Sequence, residues 1–113
     1  MHELSLVLNI IDIAEEEVKK AHAHQVDAIE LEVGSLAGVE IDALNFSWDA
    51  AVKDTVLEKA DCRIDQVQAV AKCSNCGCEY QVHEPYEPCP ACNEVLVEYL
   101  KGKEFRVKSL VVS

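Results

Sequence analysis

The densest chemistry in this 113-residue chain lies in the run CSNCGCEYQVHEPYEPCPACN, which starts at Cys73. Cys73 and Cys76 form one C-x-x-C pair, Cys89 and Cys92 another, with twelve residues between the pairs. Four soft, charged sulfurs complete a tetrahedral shell and leave no vacant position, which is what a structural zinc ion takes. Each pair belongs on a tight turn, and the residue after the second cysteine of such a turn often needs a positive φ. Gly77 and Asn93 stand there, the two residue types that tolerate it best. Cys78 follows Gly77, so it falls outside the turn and outside the set. Six cysteines also allow a disulfide framework. A secreted, disulfide-stapled chain is normally made with a signal peptide, however, and MHELSL has no basic n-region.

A second group of potential ligands sits at the start. The Met1 amine and the His2 backbone nitrogen close a five-membered chelate ring, and the His2 imidazole Nδ1 closes a six-membered one with the same nitrogen. The Glu3 backbone nitrogen supplies a fourth donor in the plane. Four nitrogens in a square suit Ni(II) or Cu(II), whereas zinc prefers a tetrahedron. A helix starting here leaves its first amides without intrahelical acceptors. The simpler reading of the same three residues is a frayed terminus whose histidine does nothing.

Composition narrows the partners. Half the residues are hydrophobic and few are aromatic, so the core is aliphatic. No run approaches the ~18 apolar residues of a membrane span. The formal charge is −11, a poor match for a phosphate backbone, which needs clustered Lys and Arg. Nucleic acid and membrane are therefore not expected partners.

Hydrophobic periodicity supplies the scaffold. Leu4, Val7, Leu8, Ile11, Ala14, Val18 and Ala21 recur at helical steps and predict an amphipathic helix over 2–22. Ile29, Leu31 and Val33 alternate with Glu30, Glu32 and Gly34, which predicts a strand over 27–36, ending at a turn bracketed by Gly34 and Gly38. A second helix is expected over 42–59, with Asp42 as its N-cap and Leu44, Phe46 or Trp48, Ala51, Val52, Thr55 and Val56 on or near its buried side. Residues 63–70 read as another strand, broken in phase. Between the cysteine pairs a short strand carries Tyr80 and Val82. Val95, Val97 and Tyr99 alternate after the second pair, and 105–112 forms a last strand that returns to the first sheet.

The expected fold is α+β: two helices on a small three-stranded mixed sheet, with an inserted zinc-ribbon-like β subdomain. The sheet-and-helix domain takes residues 1–69 plus 103–113, and the zinc-binding subdomain 70–102. His22 and His24, at the end of the first helix, suit its negative pole better than a metal. His83 lies outside the cysteine spacing and reads as a surface residue. Cys62 reads as a small buried side chain. The acidic residues Glu15, Glu16, Glu17, Glu30 and Glu32 read as a solvated face, and an acidic face can dock a basic partner. No glycine-rich phosphate loop and no nucleophile beside a base is present, so no catalytic residues are assigned.

MHELSL at the start, LEVGSLAGVE in the middle, CSNC with CPAC, and FRVKSLVV at the end together resemble the HypA/HybF family of hydrogenase maturation nickel metallochaperones. The resemblance runs the full length in order. It implies Ni(II), as cargo, bound by His2 with Met1 and Glu3 beside it, and structural Zn(II) on Cys73, Cys76, Cys89 and Cys92. It further implies a cytoplasmic carrier, a monomer or weak homodimer, that works with a GTPase of nickel insertion and the hydrogenase large subunit, and in some organisms serves urease. The rival reading is an acidic zinc-ribbon protein-docking module without nickel transfer.

Overall fold

The computed structural model describes residues 3–113, so Met1 and His2 lie outside the described residues. Its elements are α1 (Glu3–Lys20), β1 (Val26–Gly34), α2 (Ile41–Ala51), β2 (Asp61–Val67), β3 (Val70–Cys73), β4 (Glu79–Gln81), β5 (Val97–Lys101) and β6 (Phe105–Val112). They form two three-stranded sheets, ordered β2-β1-β6 and β4-β3-β5. In the first, the Val26 N–H donates to the Val56 carbonyl and the Ser35 N–H to the Val67 carbonyl. Strands β1 and β2 therefore run the same way, with α2 inside the crossover that a parallel pair requires. Gln25 exchanges two bonds with Ser113, while the Gly34 N–H donates to the Glu104 carbonyl, so β6 runs antiparallel to β1. The expected mixed sheet of three strands is present.

The chain divides into two compact units. One takes in the residues through Leu31, Val39–Ile64 and Val107–Ser113; the other takes in Glu32–Gly38 and Asp65–Arg106. In the first unit α1 buries Val7, Ile10, Ile11, Ala14 and Val18. That stripe is turned from the expected one: Leu4 and Leu8 are half exposed and Ala21 is exposed. The helix ends in a paired closure, with the His22 N–H on the Lys19 carbonyl and the Ala23 N–H on the Val18 carbonyl. His22 takes a φ of 53° there, in the position usually given to glycine.

Helix α2 is shorter than its periodicity suggests. It stops at Ala51, its N-cap is Glu40 with no side-chain cap, and Asp42 lies in its first turn. Trp48 is buried and Phe46 is 78 % exposed. Beyond Ala51 the Thr55 hydroxyl donates to the Val52 carbonyl and accepts from the Leu57 N–H, and Asp54 has a φ of 63°. This turn keeps Val52 and Leu57 buried, so an apolar spacing that mimics helix is met by a folded loop.

The second unit is built on β3, paired antiparallel with both β4 and β5. Val70 belongs to this strand and not to β2. The break falls at Gln68 and Ala69: the Gln68 side-chain amide donates to the Val82 carbonyl, and the Ala69 N–H to the Ser35 hydroxyl. The core is small. Ala69, Ala71 and Val82 are fully buried, with Leu36, Tyr80, Val97 and Tyr99 packed against them, while Val95 is more than half exposed.

Candidate metal centre

Two backbone turns of the same design hold the cysteines. In the first, the Cys73 N–H donates to the Cys78 carbonyl at 2.9 Å and the Gly77 N–H to the Cys73 carbonyl at 3.0 Å. In the second, the Cys89 N–H donates to the Glu94 carbonyl at 2.9 Å and the Asn93 N–H to the Cys89 carbonyl at 2.8 Å. The residue after each second cysteine has a positive φ, 76° at Gly77 and 63° at Asn93, as the sequence argument requires. Each turn folds amides onto its first sulfur: Asn75 and Cys76 donate to Cys73 Sγ at 3.4 and 3.5 Å, and Ala91 donates to Cys89 Sγ at 3.4 Å.

The four sulfurs of Cys73, Cys76, Cys89 and Cys92 lie within 4.8 Å of one another. Contacts of 3.5 Å join Cys73 to Cys92, and of 3.6 Å Cys76 to Cys89. A tetrahedron with metal–sulfur bonds of about 2.3 Å has edges of about 3.8 Å, so the cluster fits zinc. Its protons point the same way. The Cys73 thiol is brought down to about 7, first by the Cys76 N–H, with burial opposing and the Asn75 N–H and Cys92 assisting. At Cys89 burial raises the thiol, but the amides of Cys92 and Ala91 outweigh it and the net direction is down. At Cys76 the Cys78 N–H pulls down, yet Cys89, burial, Cys73 and Cys92 together push the thiol up to about 12. Sulfurs this close hold a proton among them until a cation replaces it.

The remaining sequence candidates fall outside the four-sulfur set. Cys78 contributes its carbonyl to the first turn, while its thiol lies 3.7 Å from the Glu79 carbonyl and beside Cys89; burial and then the Cys89 sulfur raise it. That backbone role, and the matching one of Glu94, escaped sequence reasoning; the only trace is that each lies five residues past the first cysteine of its pair. His83 is exposed and pairs loosely with Glu87 at 3.8 Å. Glu3 is the first residue of α1, and its carboxylate accepts from the Glu40 N–H at 3.4 Å, at the start of α2. Met1 and His2, the other expected nickel donors, fall outside the described residues.

Cys62, on β2, is half-buried. Burial and then the Asp61 charge push its thiol up to about 11. The thiolate is scarce at such a value, so alkylation by iodoacetamide at pH 8 is expected to run roughly tens of times slower than for free cysteine. Denaturation should restore the ordinary rate, which mass spectrometry of the Cys62 peptide would follow.

The family model described as "Hydrogenase/urease nickel incorporation, metallochaperone, hypA" matches residues 1–112. The chain belongs to the HypA family. Among curated relatives, the hydrogenase maturation factor HypA of Parabacteroides distasonis is 42% identical over 112 residues, covering 99% of this chain and 97% of the relative. That of Geotalea uraniireducens is 39% identical over 112 residues, covering 99% of each. The fold matches the solution structure of the Ni metallochaperone HypA from Helicobacter pylori with a TM-score of 0.71, at 24% identity over 99% of this chain and 97% of that one. HypA proteins are maturation factors and metallochaperones, a family of carriers and not of enzymes. The match also spans the four-cysteine turns of this HypA-family chain, so the ribbon is part of the family fold. Among the described residues no helix is long and apolar enough to cross a membrane.

Proposed function

We propose that this chain is a cytoplasmic nickel metallochaperone for [NiFe]-hydrogenase maturation, and that it takes Ni(II) as cargo at its N-terminus. The ligands in this reading are Met1, through its amine, His2, through its imidazole and backbone nitrogen, and Glu3, through its backbone nitrogen. The observation that carries it is the match of residues 1–112, all three ligands included, to the family model described by nickel incorporation. Glu3 lies in the first turn of α1, where N–H groups have no intrahelical acceptor. The Glu3 carboxylate contributes differently: its bond to the Glu40 N–H ties the start of α1 to the start of α2. In this reading the site belongs to the sheet-and-helix domain of residues 1–69 plus 103–113.

Cys73, Cys76, Cys89 and Cys92 hold Zn(II) in the subdomain of residues 70–102. When bound, the zinc supplies a fixed cross-link between the two turns and no open coordination position. The partners are the GTPase of nickel insertion and the hydrogenase large subunit, with urease as a further client in cells that make it.

The test is complementation. In a host that lacks its own HypA-family factor and is grown at limiting nickel, this chain should restore hydrogenase activity. The His2→Ala variant should restore it at least about tenfold less well, the scale of a disturbed metal site. Excess nickel in the medium should narrow the difference. Equal restoration by both proteins at limiting nickel would contradict the assignment of His2.

A further inference from the structure

The four cysteines do not present themselves alike. Cys76 and Cys92 are exposed, whereas Cys73 and Cys89 are buried, at 2 % and 1 %. The sulfur contacts at 3.5 and 3.6 Å each cross from one turn to the other, and each joins an exposed cysteine to a buried one: Cys92 to Cys73, and Cys76 to Cys89. Oxidants reach exposed sulfur first, and each exposed sulfur has a buried one within 3.6 Å on the opposite turn to resolve its sulfenic acid.

We propose that this cluster is also a hydroperoxide-responsive switch that closes crosswise, Cys92 on Cys73 and Cys76 on Cys89. The proposal rests on the zinc assignment above. In each pair the exposed thiolate attacks the outer oxygen of the peroxide. The O–O bond breaks, the sulfur becomes a sulfenic acid, and the leaving alkoxide or hydroxide takes a proton. The buried thiolate then attacks that sulfur, the S–S bond forms, and hydroxide leaves as water with a second proton. Each pair is oxidised by two electrons and reduces one hydroperoxide to water and an alcohol, or to two waters when the oxidant is hydrogen peroxide. Two equivalents convert the set. Disulfide sulfur carries no charge to hold a divalent cation, so the zinc leaves. The two turns stay joined by covalent bonds, and a thiol reductant with fresh zinc restores the starting state.

Two further thiols stand outside the four-sulfur set. Cys78 lies 3.7 Å from the Glu79 carbonyl and also reaches the Cys89 sulfur, so it is the competing thiol that the mapping must tell apart. Cys62 belongs to the other compact unit.

The full-length zinc-loaded protein would be titrated with hydrogen peroxide, with released zinc followed by a chromogenic chelator. The remaining thiols would then be alkylated and the disulfides mapped by mass spectrometry. The expected result is one zinc released for two peroxides, peptides linking Cys73 to Cys92 and Cys76 to Cys89, and alkylated Cys62 and Cys78. The Cys78→Ser variant should give the same stoichiometry and linkages. Pairing within a turn, a bond to Cys78, zinc retained while other residues oxidise, or loss of the response in Cys78→Ser would each overturn the switch. Zinc content is measured before peroxide is added. A sample with no zinc at the outset overturns the zinc assignment; one that holds zinc but pairs otherwise overturns the switch alone.

Discussion

The Cys89→Ala variant is expected to lose its zinc and, with it, the ordered packing of the residues around β3, β4 and β5. The unit has little else to hold it. Its buried apolar centre is two alanines and a valine, with Leu36, Tyr80, Val97 and Tyr99 only partly covered. Burying one valine contributes roughly 1.5–3 kcal/mol, and each ordered residue costs about 1–2 kcal/mol of backbone entropy. Structural zinc contributes roughly 10–16 kcal/mol in small zinc-finger peptides. On the proposed zinc assignment, the metal therefore decides whether the unit folds. Removing the Cys89 sulfur also leaves the Ala91 amide without its acceptor. Zinc content should fall well below one per chain, and amide resonances from residues 70–102 should collapse to unfolded positions. Those of α1 should stay dispersed, since Val7, Ile10 and Ala14 belong to the other unit's core. Retention of one zinc with native chemical shifts in Cys89→Ala would contradict this account.

The Gly34→Ala variant should be destabilised by about 3 kcal/mol or more. Gly34 ends β1 where the chain passes Gly102 at backbone distance. A Cβ on Gly34 would lie 2.1 Å from both the carbonyl carbon and oxygen of Gly102, and 2.7 Å from the Lys103 nitrogen. Backbone cannot step aside as a flexible side chain does. Gly102 is itself pinned, its carbonyl accepting from the Leu36 N–H at 2.7 Å and its N–H donating to the Glu104 carboxylate. Gly38 provides the contrast, with a φ of 76° and nothing within 4 Å of an added Cβ. Gly38→Ala should cost only the left-handed strain, about 1–2 kcal/mol. Denaturant unfolding of the two variants beside the parent protein checks both values. A Gly34→Ala protein within about 0.5 kcal/mol of the parent, the range of an ordinary surface change, would mean that this approach is not tight.

Local signals were legible in the sequence and long-range ones were not. Cysteine spacing, together with Gly77 and Asn93, indicated both turns because their φ requirements are set within five residues. The alternation through Ile29, Leu31 and Val33 located β1 for the same reason. Past Ala51, Val52, Thr55 and Val56 kept a helical spacing, but Asp54 in the left-handed region and the Thr55 hydroxyl made a turn that periodicity cannot distinguish from helix. The end of β2 was hidden because bonds from Gln68 to Val82 and from Ala69 to Ser35 set it, partners 14 and 34 residues away. Gly34 read as a turn residue, and its actual reason, the passing Gly102 backbone, lies far along the chain. The proposed nickel ligands are the opposite case, carried by three adjacent residues and by resemblance, with Glu40 as a partner of Glu3 that sequence did not suggest.

The most direct test of the nickel assignment is a Ni(II) titration by calorimetry and absorption spectroscopy on protein with its native N-terminus. The same titration would be run on His2→Ala and on a form with one glycine added before Met1. The account predicts about one nickel per chain for the native protein, with a square-planar absorption band, and loss of that site in both altered forms. Native-strength binding in both altered forms would place nickel elsewhere and contradict the assignment to Met1, His2 and Glu3.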